Sequence, residues 1–237
     1  MSKRFRTATW KAAVVLAATI AVGACSGGTP QVRSITLTFV RHAESEANAA
    51  GIINTEVPGP GLTPDGQGEA QQIARTLARN NYDGIYASTM VRTQETAAPL
   101  AERLGKHVQI LPGLREISAG WFDDKPKSMA KSTYLVAPAD WLRGDRQNAI
   151  PGSINGNQFN DQFSGAVQKI YDSHQKKPVA FSHGEAIMYW TLMNVTNPNN
   201  NLVKQHPLPN IGRVVIKGSP GGGWTLMDWD GITDFRY

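Results

Sequence analysis

The chain has 237 residues, with 24 Lys and Arg against 19 Asp and Glu, for a formal net charge of +5. Four of the basic residues and none of the acidic ones precede Cys25, so the part that follows carries only +1. That balance excludes a nucleic-acid surface, and no basic stripe interleaved with aromatics is left to make one. The single cysteine excludes an intramolecular disulfide.

In chain order, Lys3, Arg4, Arg6 and Lys11 form a positive region before an apolar stretch at 12–24. That stretch falls short of the ~20 residues that span a bilayer as a helix. Val22-Gly23-Ala24 then places small residues before Cys25. The pattern resembles a bacterial lipoprotein signal, which implies removal of residues 1–24 and acylation of Cys25. It also implies an exported protein held by its lipid on the extracytoplasmic face of the cell membrane. An uncleaved membrane anchor and an ordinary secretory peptide cut nearby are the alternatives. Residues 25–33, rich in Gly and Ser, read as a flexible tether, and residues 34–237 as one domain.

Within that domain strand-like and helix-like segments alternate. Residues 35–40 (Ile-Thr-Leu-Thr-Phe-Val) are apolar enough for a central strand buried on both faces. Thr63 can cap a helix whose first turn holds Pro64 and Asp65, and Ala70, Ile73, Ala74 and Leu77 recur at helical spacing. A short strand is expected at 84–88. Next comes a helix with Ala97, Leu100, Ala101 and Leu104 on one face, stopping at Gly105, and a third strand at 108–111. Residues 117–157 read as irregular. Phe159, Phe163, Val167 and Ile170 mark another helix, 179–182 a fourth strand and 186–193 a helix packed all round. Residues 214–216 and 224–227 read as a closing hairpin. The alternation predicts an α/β fold, a three-layer α/β/α sandwich with a mainly parallel central sheet and an irregular cap insert.

Open α/β sheets bind ligands beyond the carboxyl ends of their strands. Each of the four strands is followed at once by groups suited to a phosphate: Arg41-His42, Ser88 to Arg92, Arg115-Glu116 and His183-Gly184-Glu185. A guanidinium binds two phosphate oxygens together, and a neutral imidazole nitrogen can attack phosphorus. Two arginines beside a histidine disfavour its protonated form, which keeps such a nucleophile neutral. Each group also has a plainer reading. Arg92 could pair on a helix surface with Glu95 or Glu102, and Glu116 could cap a loop. Asp123-Asp124, without a neighbouring His, reads as a solvated turn rather than a metal site. Asn210 reads as a turn residue, and His107, His174 and His206 as solvent-facing or locally bonded.

Arg41-His42-Ala43-Glu44-Ser45 with Asn48, Leu62-Thr63-Pro64 with Gly66, Ser88 to Thr93 with Thr96, Leu114-Arg115-Glu116 and Ser182-His183-Gly184 resemble the histidine phosphatase superfamily. More narrowly, they resemble its phosphoglycerate mutase-like branch, over residues 34–237. The resemblance implies that His42 is the nucleophile and forms a phosphohistidine. Arg41, Arg92 and His183 would surround the phosphoryl oxygens, and Glu116 would protonate the leaving oxygen and then activate water. Asn48 would bond the phosphoryl group or order its loop. Those cations take the place of a metal, so no metal or cofactor is expected.

Three features depart from the family. Ala43 stands where Gly is commoner, Ile117 to Phe122 lacks the usual continuation after Glu116, and 122–157 aligns with nothing familiar. Within that insert, Trp121, Phe122, Tyr134, Trp141 and Leu142 accompany Lys125, Lys127, Lys131 and Arg143. The aromatics either form a satellite core beneath water-facing lysines or cover a substrate with an apolar or sugar-like body. The expected activity is a phosphomonoesterase acting on a phosphorylated small-molecule or envelope substrate. A phospho-ligand-binding lipoprotein and a phosphoglycerate mutase are the alternatives.

Overall fold

The computed structural model describes residues 33–235, together with Met1. The proposed signal and Cys25 lie outside the described residues. Six strands form one sheet in the order β3-β2-β4-β1-β5-β6. The strands are β1 (Ile35–Arg41), β2 (Gly84–Ala87), β3 (Val108–Ile110), β4 (Pro178–Ser182), β5 (Arg213–Ser219) and β6 (Gly223–Trp229). The first four are mutually parallel, and the β5–β6 hairpin runs antiparallel against β1.

Alternation along the strands explains the layering. Phe39, Ala180 and Tyr86 point into one apolar cluster, with Phe159 and Phe163 of α5 (Gly156–Asp172) and Ile187 and Trp190 of α6 (Gly184–Asn194). Their sequence neighbours Val40, Val179, Phe181, Ile85 and Ala87 point to the other face. There they meet Ile73 and Leu77 of α2 (Pro64–Leu77) and Ala97 and Leu100 of α3 (Val91–Leu104). A period of two on central strands with both faces buried requires helices on both sides, which is the expected three-layer sandwich.

Helix limits follow local chemistry. Thr63 Oγ1 accepts from Gly66 N at 2.9 Å and caps α2, and Gly105 ends α3 with φ +61°. Two four-residue helices, α1 (Glu46–Ala49) and α7 (Leu202–Gln205), are too short for the sequence to show a period. The 117–157 segment is less irregular than expected. It holds 3₁₀ turns at Gly120–Phe122 and Lys127–Ser132 and a helix α4 (Val136–Leu142).

The satellite core also needs correcting. Tyr134 and Trp141 are buried in the main cluster, and Trp141 stacks on Phe159 at 5.6 Å. Trp121 instead stays 75% exposed.

Candidate active site

Strand register places the central groups. In the parallel β1–β4 pair Arg41 lies opposite Ser182, so the next residues, His42 and His183, emerge side by side. Their rings sit 5.2 Å apart, edge to face. The His42 amide donates to the Ser182 carbonyl (3.0 Å) and continues the ladder one step past the strand. From the other side, β2 pairs with β4 through Ala87 and Phe181, and Ser88, just past the strand, reaches the His183 ring with its side chain. Arg92 stands in the first turn of α3, which begins just beyond Ser88.

His42 is buried, and its hydrogen bonds fix its tautomer. Nδ1 lies 2.7 Å from the Ala43 carbonyl, which can only accept, so Nδ1 carries the proton. Nε2 therefore holds a lone pair, and it accepts from Arg92 Nε at 3.0 Å. Burial, then the Arg92 and Arg41 charges, hold the ring's pKa well below the usual histidine range. His42 is thus a neutral imidazole whose Nε2 lone pair can act as a nucleophile once Arg92 turns its hydrogen bond to an anion.

Arg92 is buried rather than paired on a helix surface. Its guanidinium reaches His42, the Asn54 side chain (3.2 Å) and the Asn54 carbonyl (3.0 Å). Burial lowers its pKa to about 10, so it stays cationic at neutral pH. Gly59 makes room for it, because a Cβ there would stand 2.8 Å from Arg92 Nη1 and φ is +67°. Arg41 donates through Nη1 to the Leu208 carbonyl at 2.6 Å. Arg41 Nε and His183 Nδ1 are buried with no hydrogen-bond partner among the described residues. Unpaired buried donors are rare and need an explanation, and an incoming anion supplies one here.

His183 Nε2 lies 2.9 Å from Ser88 Oγ. That hydroxyl can donate to a neutral ring or accept from a cationic one by rotating its proton. Burial first, then Arg92, His42 and Arg41, hold the His183 pKa well below its ordinary value. A bound phosphate dianion would oppose that shift.

Glu116 caps a helix rather than a loop, and it also faces the cavity. Its Oε1 accepts from Ile117 N (3.0 Å) and from Ala186 N (2.8 Å), so it caps α6, whose own N-cap, His183, makes no side-chain cap bond. It also lines the cavity that holds Arg41, His42, Asn48 and Arg92, a space of about 490 Å³. Burial raises its pKa above the usual carboxylate value, against the pull of those two amides and Arg92. A carboxyl with a raised pKa keeps its proton to higher pH and can donate it.

Asn48 orders the loop after β1. It forms a capping box with Ser45 and accepts from Asn210 Nδ2 at 3.4 Å, so Asn210 is tied to the cavity wall as well as to a turn. Thr96 Oγ1 accepts from Ala43 N (3.0 Å) and donates to the Arg92 carbonyl (2.6 Å), locking the two motifs together. Gly66 lets α2 press on the same loop, since a Cβ there would lie 2.0 Å from the Glu44 carbonyl oxygen.

Asp123 is not a solvated residue. It accepts from the Thr55 amide and hydroxyl, both at 2.6 Å, and the Thr55 hydroxyl accepts from Ala119 N at 2.9 Å. His107, His174 and His206 are exposed, as expected. Lys127, Lys131 and Tyr134 of the insert and Glu185 after the fourth strand also line the cavity, and with them Asn54, to which the sequence gives no role. Burial, then Glu116, raises the Glu185 pKa to about 7. No group of three or more His, Cys, Asp or Glu among the described residues is arranged to hold a metal ion.

Comparison with known proteins bears on the family and the fold. The chain is 49% identical over 222 residues to a PE-PGRS family protein of Mycobacterium tuberculosis, covering 87% of this chain but only 38% of that protein. It is 32% identical over 152 residues to adenosylcobalamin/alpha-ribazole phosphatase of Salmonella typhimurium, covering 59% of this chain and 73% of the relative. The fold matches that of mycobacterial glucosyl-3-phosphoglycerate phosphatase with a TM-score of 0.69 at 20% identity, over 84% of this chain and all of that one. Phosphoserine phosphatase from Entamoeba histolytica gives a TM-score of 0.66 at 21% identity, over 84% of this chain and 98% of that one. The family profile itself matches residues 37–230, and the chain belongs to the histidine phosphatase superfamily, branch 1.

Proposed function

We propose that the chain is a phosphomonoesterase that works through a phosphohistidine on His42 and needs no metal. The observation that carries this reading is the His42 ring. It is neutral, protonated at Nδ1, and presents Nε2 beside Arg92 in a cavity with Glu116. Nε2 attacks phosphorus while the bond to the leaving oxygen breaks, and Glu116 gives that oxygen its proton. Arg41, Arg92 and His183 neutralise charge on the phosphoryl oxygens during transfer. Water then attacks the phosphohistidine, the Glu116 carboxylate takes its proton, and inorganic phosphate leaves a neutral His42. Phosphatases among the relatives support the same reaction class.

The test is phosphate release from a panel of phosphomonoesters, with EDTA present, for the wild type and His42→Ala. Turnover that survives EDTA, with acid-labile phosphoenzyme in the wild type only, is the expected result. A folded His42→Ala protein that keeps wild-type turnover would sink the nucleophile assignment. Failure of the wild type to hydrolyse any ester, with phosphate still bound, would favour a phospho-ligand-binding protein.

Export and lipid anchoring at Cys25 belong to this proposal and rest on residues 1–25 alone. Metabolic labelling with a fatty acid should mark the wild type and not Cys25→Ser.

A further inference from the structure

The phosphate-binding groups fill only one end of their cavity, and the rest of its wall is mostly apolar. Ile52, Ala130, Leu135, Met188 and Leu208 line it beyond Arg41 and Glu116. At that end it meets a second cavity of about 380 Å³, and the two share Lys131, Leu135, Glu185, Met188 and Pro207 as walls. The second cavity is a trough between α4, α6 and α7. Ala139 and Leu142 come from the first helix, Met188 and Tyr189 from the second, and Val203 from the third. Its cations, Lys131, Arg143 and Lys204, are exposed residues, and Arg143 is already paired with Asp140.

A polar cleft of about 710 Å³ lies elsewhere around Glu116, with Glu56, Arg115, Asp123 and Gln162 on its walls. It shares only Thr55 and Glu116 with the phosphate cavity, and neither His42 nor either phosphate-site arginine lines it. The path with continuous walls from the phosphate is therefore the apolar one. Asn200, Tyr189 and Glu185 also face the trough, but apolar side chains predominate on its walls between the helices, and such walls favour a hydrocarbon chain over a sugar.

We propose that the substrate is the phosphate monoester of a long-chain alcohol, with its phosphate at His42 and its chain lying past Glu185 along the trough. This rests on the phosphomonoesterase reading and names the substrate class of that same site. Burial raises the Glu185 pKa to about 7, so near neutrality a large share of the molecules carry a neutral carboxyl at the junction, which is less hostile to a chain than a charged one. The exposed Lys131 and Lys204 leave the trough's rim cationic and its floor apolar.

The test uses the full chain with methyl, butyl, octyl and dodecyl phosphates below their critical micelle concentrations, beside a hexose phosphate. The expected result is a kcat/KM that climbs by up to about fourfold per added methylene and then levels off. Ala139→Trp fills the trough and Val203→Asp charges its wall, and each should lower the dodecyl-to-methyl ratio by about tenfold or more. The second variant carries the test if the first does not fold. A flat chain-length profile, or a hexose phosphate preferred over every alkyl ester, would overturn the trough assignment and leave the phosphomonoesterase intact. No release from any ester, and no phosphoenzyme, would overturn both.

Discussion

The two walls of the phosphate cavity are built by different means. One is made of strand ends and a helix start. Arg41, His42, Arg92 and His183 each sit within two residues of a regular element, in register with a neighbour and largely buried. The other wall comes from the 117–157 segment, where Lys127, Lys131 and Tyr134 hang on 3₁₀ turns and a loop, and both lysines are exposed. The first wall fixes atoms to within hydrogen-bond distance, as bond making at phosphorus demands. The second offers shape and charge. On the proposed reading the chemistry rests on the first wall, while the choice of substrate draws on the second together with α6 and α7.

The sharpest way to break this contrast is to alter Glu116, the proposed proton donor. Glu116→Gln should cut kcat by about 10²–10⁴-fold for alkyl phosphates, whose leaving oxygen needs a proton. Para-nitrophenyl phosphate, with its better leaving group, should lose far less in the first half-reaction, measured as burst phase. Equal losses on both would move Glu116 out of the donor role.

Next, Arg92→Lys keeps the charge and removes the fork that spans His42 and Asn54. A fall in kcat of about 10²–10³-fold is expected. Lys131→Ala, on the opposite wall, should change methyl phosphate turnover by less than about threefold, since exposed charge contributes little. Comparable losses in the two variants would erase the distinction between the walls.

The pH profile gives a smaller effect. The His42 pKa lies well below 6.5, so the nucleophile stays neutral at mildly acid pH and becomes protonated only below that. The Glu116 pKa is raised, so its acid form is lost as pH climbs through a value above 4.5. The free-enzyme kcat/KM should therefore fall toward acid pH as His42 gains a proton, and fall by up to about tenfold per pH unit toward alkaline pH as Glu116 loses its own. An alkaline limb that persists unchanged in Glu116→Gln would contradict the assignment.

Two tryptophans of the insert supply the last comparison. Trp141→Ala should destabilise by about 3–5 kcal/mol, because its ring is buried on Phe159. Trp121→Ala should stay within about 0.5 kcal/mol, because its ring is 75% exposed. Denaturant midpoints decide both, and similar shifts would mean the insert does not share the main core.

The strand-end wall was legible in the sequence because its residues adjoin regular elements, whose apolar period locates them. The insert wall was not, for a physical reason. Its residues follow no period, and their partners lie far along the chain. Asp123 reads as solvated until folding brings Thr55, 68 residues away, onto its carboxylate. Asn54 holds Arg92 from a loop whose Pro58-Gly59-Pro60-Gly61 run signals a turn but not which residue meets the guanidinium. The role of Glu116 as a helix cap was hidden in the same way, since Ala186 lies 70 positions downstream.

That cap has a consequence for motion. The two amides grip Glu116 Oε1 more strongly when the carboxylate is charged than when it is protonated. In the proposed cycle Glu116 is charged only between loss of the alcohol and arrival of water, while the phosphoryl group rests on His42. The start of α6 should then be at its most rigid. Amide exchange at Ile117 and Ala186 would be slowest in the trapped phosphoenzyme and faster in the resting protein. The enzyme would hold its breath while it waits for water.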